Sequence, residues 1–178
     1  MSVVDGNLED PPAILQQLPS IWGISSAQVK SDAEEKQGKA IYDAAVANAV
    51  QHCVYSPLDP WGPDRSAKHP TPVKTFTTKL NVEEHLEKAA AASPQSMTYT
   101  VLRPVTFVEN EVPGKHERGF ARMSEHSDKR LLLMFSTKDR GWSAAQAFLQ
   151  SEDHRNRAST LAGDEFKELP SSSRSREV

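Results

Sequence analysis

Short β-prone runs alternate with longer helical stretches along this chain, and that alternation constrains the fold more than any other feature. Strands are expected within Ser20 to Ser26, at His52 to Tyr55, at Thr98 to Leu102, at Leu131 to Phe135 and at Ala158 to Leu161. Between them, helices are expected over Pro11 to Leu18, Ala33 to Ala49, Thr75 to Ala92 and Lys138 to Gln150. Asp10 and the two prolines after it suit the first helix start. Arg103-Pro104 is expected to stop the third strand. Trp142, Ala145 and Phe148 are expected to face inward from the last helix. Strands alternating with helices of this length predict βαβ units around a mostly parallel sheet with helices on its faces, an α/β fold. In such sheets ligands bind beyond the carboxyl ends of the strands. The residues to watch are therefore Gly6-Asn7-Leu8, Ser25-Ser26, Ser56-Pro57 and Pro104-Val105-Thr106.

Composition narrows the function classes. The 178 residues suit one domain. The 21 basic residues against 24 acidic ones leave no strongly cationic face for nucleic acid or a polybasic membrane contact. The longest apolar runs, such as Leu131 to Phe135, fall far short of the roughly 20 residues that span a bilayer. One cysteine cannot form an internal disulfide, which points to a cytoplasmic or nuclear setting. That cysteine, Cys53, sits inside a strand and reads as a buried, inert thiol. The six histidines have no metal-ligand spacing. Residues 57–72 form a proline-rich loop carrying five of the twelve prolines, residues 111–130 read as polar and irregular, and 167–178 as a disordered serine- and arginine-bearing tail.

Several segments together resemble the NmrA-like family, atypical members of the short-chain dehydrogenase/reductase superfamily. They are Val4-Asp5-Gly6-Asn7-Leu8-Glu9-Asp10-Pro11, Gln37-Gly38-Lys39-Ala40-Ile41-Tyr42-Asp43-Ala44-Ala45 and His52-Cys53-Val54-Tyr55-Ser56. Further on come Lys79-Leu80-Asn81-Val82-Glu83, the run from Tyr99 through Arg103-Pro104 to Glu109-Asn110, and Asp139-Arg140-Gly141-Trp142. The resemblance implies a Rossmann-like fold that binds NAD(P), with NADP preferred, and it covers residues 1–166. It places Val3-Val4 on the family's third strand. The family's first βαβ unit has no counterpart, and no G-x-x-G-x-x-G spacing occurs among the eight glycines. That turn ordinarily sets backbone N–H groups against the pyrophosphate. The chain is therefore expected to be N-terminally truncated, with unpaired strand edges.

The same resemblance assigns candidate cofactor-binding residues. Asn7 and Leu8 would flank the adenine ring, and equally suit an ordinary turn. Ser25 and Ser26 would face the ribose, or merely end a strand. Ser56 matches a superfamily serine, or caps a strand end. Pro104, Val105 and Thr106 would line the nicotinamide pocket, or start a helix after a strand. Lys79 matches the lysine that superfamily enzymes pair with a tyrosine four residues earlier, where the lysine eases proton exchange with substrate. Here that position is Thr75, whose hydroxyl has no comparable acidity, so no catalytic residue is assigned. Lys79 would then hydrogen-bond the nicotinamide ribose or stand as a solvated helix lysine.

The reading that follows is a non-catalytic NAD(P)-binding protein, a redox sensor or negative transcriptional regulator acting through a protein partner such as a transcription factor. An NAD(P)H-dependent oxidoreductase with a small-molecule substrate is the alternative, and an inactive gene fragment a third. No metal, membrane or direct nucleic-acid contact is expected.

Overall fold

The computed structural model describes residues 4–18, 20–59, 73–111, 132–163 and 165–166. Most of the proline-rich loop, the polar segment after residue 111 and the tail lie outside them.

Four parallel strands form the main sheet. In spatial order they are β1 (Gly23–Ser26), β2 (His52–Tyr55), β3 (Thr98–Pro104) and β6 (Arg157–Leu161). Ile24 faces Cys53 across the first pair, and Cys53 faces Tyr99 across the second. All four residues of β2 are buried, as a parallel sheet covered on both faces requires. Helices α2 (Glu34–Ala47) and α3 (Lys74–Ala92) lie on one face. There Tyr42, Ala45, Cys53, Tyr55, Val82, Leu86 and Val101 form the larger core. Helix α4 (Thr137–Leu149) covers the other face, where Ala147 meets Val54 and Leu102. The side chains of β2 and β3 alternate between these two cores, the period-two signature of a strand. A second, smaller sheet joins β4 (Thr106–Phe107) in parallel to β5 (Leu132–Phe135), and β5 antiparallel to β7 (Glu165–Phe166). Short helices α1 (Pro11–Leu15) and α5 (Ser151–His154) complete the described elements, with a 3₁₀ turn at Val108–Glu111.

Local chemistry explains the boundaries. The Asp10 side chain accepts from Ala13 N at 3.3 Å, and Pro11 and Pro12 occupy the first helical positions. Ser136 caps α4 by accepting from Lys138 N. Gly38 lies mid-helix in α2 because a Cβ there would meet the Val82 methyls at 2.7 and 2.8 Å. Its missing side chain lets α2 and α3 close on one another.

Three expectations are corrected. First, β3 continues through Arg103 to Pro104. Arg103 is buried by a two-point ion pair with Glu83 of α3, and Pro104, at the strand's last position, accepts from Asp59 N at 2.8 Å. Pro104-Val105-Thr106 thus leads into a second strand, not a helix. Second, Trp142 is 65% exposed and Ala145 is also exposed. The inward stripe of α4 is Ala144, Ala147 and Phe148, whose small residues approach Val54 and Leu102, and Trp142 lies about 140° around the helix from Ala147. Third, Val4 stands in irregular backbone rather than in a strand, and Val3 lies outside the described residues.

Candidate functional site

The carboxyl end of β1 and the residues after it lie against α2. A hollow of about 220 Å³ opens there, lined by Leu8, Ile24, Ser25, Ser26, Ala27, Gln28, Gln37 and Ile41. Three of the candidate residues, Leu8, Ser25 and Ser26, therefore meet on one surface, although Leu8 precedes β1 by fifteen positions. Leu8, Ile24 and Ile41 make part of the wall apolar. Asn7 is exposed and lies next to this group without lining it. Its Oδ1 accepts from Glu9 N at 3.0 Å and its carbonyl from Asp10 N at 2.9 Å, the local turn that asparagine favours.

Ser26 is fixed from behind. Its Oγ lies 2.5 Å from the phenol oxygen of Tyr42, a fully buried side chain of α2. Burial pushes that phenol well above the ordinary tyrosine range, so it stays neutral. The next strand end is tied to the first, because Ser56 N donates to Ser26 O at 3.0 Å. The Ser56 hydroxyl is buried and has no hydrogen-bond partner among the described residues. A sealed hydroxyl without a partner is costly, and a bound group or water that pairs with it would remove that cost.

Lys79 is neither solvated nor open to the hollow. Its Nζ lies 2.6 Å from Glu34 Oε1 and donates to Gln28 O at 3.3 Å. Both side chains are nearly enclosed, with 11% and 2% of their surfaces exposed. The Tyr55 phenol donates to the Lys79 carbonyl at 3.3 Å. The ammonium is thus occupied by a carboxylate from the first turn of α2. Thr75, one turn earlier on α3, opens instead onto a second hollow of about 240 Å³, shared with Lys30, Ser31, Asp32, Glu34, Lys74 and Thr78. Lys74 and Asp32 pair across it at 3.1 Å, both largely exposed, which contributes little.

Pro104, Val105 and Thr106 stand at the end of β3, where Val105 N donates to Leu161 O at 3.1 Å. They line neither hollow. Cys53 is buried, its thiol pushed up to about 12 by burial. Among the described residues no group of His, Cys, Asp or Glu is placed to hold a metal ion, and no helix is long and apolar enough to cross a membrane. Glu34, Gln28 and Tyr42 belong to the site but were not among the candidates. Glu34 carries no local mark, since its partner stands 45 positions away.

Several solved structures share this architecture. UDP-N-acetylglucosamine 4-epimerase from Bacillus cereus superposes with a TM-score of 0.62 at 20% identity, over 93% of this chain and 66% of its own. The triphenylmethane reductase of Citrobacter sp., solved with NADP(H), gives 0.63 at 15% identity over 89% of this chain and 53% of its own. UDP-glucose 4-epimerase from Brucella ovis, solved with NAD, gives 0.60 at 18% identity over 89% and 63%. These likenesses establish a Rossmann-like fold. The chain spans between about half and two thirds of the length of these structures. No curated protein sequence matches it. Its sequence matches the NmrA-like family over residues 1–168, and the chain belongs to that family.

Proposed function

We propose that this protein binds a nicotinamide dinucleotide along the carboxyl ends of β1 to β3 and acts as a non-catalytic, redox-responsive regulator of a protein partner such as a transcription factor. The observation that carries the reading is the state of Lys79. Proton exchange in the superfamily would need a tyrosine four residues before it and a free ammonium. Here the earlier position is Thr75, and Glu34 and the Gln28 carbonyl occupy the ammonium. A lysine held by a carboxylate at 2.6 Å cannot also ease the ionisation of a neighbouring acid.

Binding is a separate matter from catalysis, and the residues present fit part of a dinucleotide. Leu8, Ile24 and Ile41 offer apolar contact to a ring, Ser25 and Ser26 offer hydroxyls, and the Ser56 hydroxyl, unpartnered among the described residues, awaits an acceptor or donor. When bound, the group supplies or accepts a hydride. At about 220 Å³ the hollow is smaller than the roughly 300–1,000 Å³ of a complete ligand pocket. It takes one end of the molecule, and the remainder would follow the strand ends past Ser56. We take NADP as the preferred form, a choice that the titration below decides.

Calorimetric titration of the full chain with NADPH and with NADH tests the reading. Micromolar binding, tighter for NADPH, is expected, without NADPH oxidation across a panel of enones and quinones. Absence of binding overturns the cofactor assignment. Substrate-dependent loss of NADPH absorbance overturns the non-catalytic one and favours an oxidoreductase.

A further inference from the structure

The pair formed by Ser26 and Tyr42 has a direction. Tyr42 is fully buried in α2 and its ring packs edge-on to Tyr55, with centroids 5.9 Å apart and planes at 76°. Its phenol oxygen lies 2.5 Å from Ser26 Oγ. A phenol carries a single proton. Were Ser26 the donor, that proton would be sealed in the core without an acceptor, at the full cost of an unmade hydrogen bond. The phenol therefore donates, and Ser26 Oγ accepts. One lone pair of the serine is thereby filled and its own proton is left to point elsewhere. Ser26 lines the hollow at the end of β1.

We infer that Tyr42 is a positioning residue, its phenol fixing the Ser26 hydroxyl as a donor aimed at an oxygen acceptor of the ligand. The acceptor is a sugar hydroxyl or a phosphate oxygen. This rests on the dinucleotide reading above. It adds a second group to the site, 16 residues from Ser26 and out of reach of any ligand. The hydroxyl is ordered before binding, so less rotational freedom is lost when the ligand arrives.

Four variants of the full chain, titrated with NADPH and melted in its absence, test the inference. Tyr42→Phe keeps the ring and removes the directing proton, and is expected to weaken NADPH binding about fivefold. Ser26→Ala removes the donor itself and is expected to cost about tenfold. Combining the two should bind no more weakly than Ser26→Ala alone, since Tyr42 acts only through Ser26. Ser26→Thr, which keeps the hydroxyl, should restore most of the affinity that Ser26→Ala loses. Melting gives the opposite order. Ser26→Ala strands a buried phenol proton and should melt below the double variant, a reversal that simple loss of packing does not produce. Unchanged affinity in Tyr42→Phe beside weakened affinity in Ser26→Ala overturns the inference and leaves the dinucleotide reading standing. If wild type binds neither NADPH nor NADH, that reading falls and the inference with it.

Discussion

Glu34 and Lys79 show how one residue pair can settle a chemical question. Each is buried, and each is tolerable only because of the other. Removing one partner of such a pair leaves an uncompensated charge and typically costs about 3–5 kcal/mol, whereas replacing both with apolar residues is often neutral. Lys79→Met alone is therefore expected to lower stability by about that amount, and Lys79→Met with Glu34→Leu to regain most of it, as read by urea unfolding. Equal losses in the single and double variants would contradict the pairing. Cys53 gives a pH-dependent counterpart. Burial raises its thiol from an ordinary value of 9.0 to about 12. Above about pH 9 the unfolded chain therefore sheds this proton while the folded chain keeps it. Its contribution to stability is fully present below pH 9 and is lost as the pH rises toward 12. Cys53→Ala should flatten that part of the alkaline limb, measured as unfolding free energy from pH 8 to 11. Native Cys53 should also resist maleimide, reacting only once the chain unfolds.

At the scale of elements, the contact of α2 with α3 positions the site. Both residues of the buried ion pair lie on these helices, as do Tyr42 behind the hollow and Gln37 and Ile41 on its wall. The approach depends on Gly38. Alanine is a better helix former by about 1 kcal/mol, so an exposed helix would gain from Gly38→Ala. Here the added methyl would meet both Val82 methyls inside 3 Å. Overpacking of that kind costs about 1–3 kcal/mol. Net destabilisation is expected in a thermal melt, and Gly38→Ala with Val82→Ala should recover part of it. A stabilised single variant would show that the helices do not meet as described.

For the molecule as a whole, the sheet sets the order of local stability. β2 and β3 are each hydrogen-bonded to strands on both sides, and two cores close over them. β1 pairs only with β2 among the described strands. Amide hydrogen exchange should accordingly be slowest in Cys53 to Tyr55 and Thr100 to Leu102, and faster in Gly23 to Ser26. Equal protection of all three strands would mean that the outer edge of β1 is covered. The exposed Trp142 and Leu149 on α4 lie outside both cores. Trp142→Ala should change stability by less than about 0.5 kcal/mol, in contrast to the roughly 2–5 kcal/mol expected for Leu86→Ala in the larger core.

The strands of the main sheet and the helices that cover it were legible in the sequence, whereas β4, β7 and the irregular backbone at Val4 were not. Period-two and helical patterns, Asp10 before two prolines and the apolar run of β2 are local signals, and local signals specify strands, helices and the α/β class. The family could be read from short motifs for the same reason. Which face α4 buries was not legible, because Trp142 and Phe148 lie on different sides of one helix and only the fit against Val54 and Leu102 chooses between them. Nor could the extension of β3 through Pro104 be read locally, since Glu83 and Asp59 supply what Arg103 and Pro104 need. The candidate site divides in the same way. Ser25 and Ser26 follow from the rule that ligands gather at strand ends, whereas Leu8, which no described strand precedes, is brought to them by the fold. The fate of Lys79 and the role of Tyr42 rest on partners 45 and 16 residues distant, and charge pairing and hydrogen bonding over such separations exist only once the chain has folded.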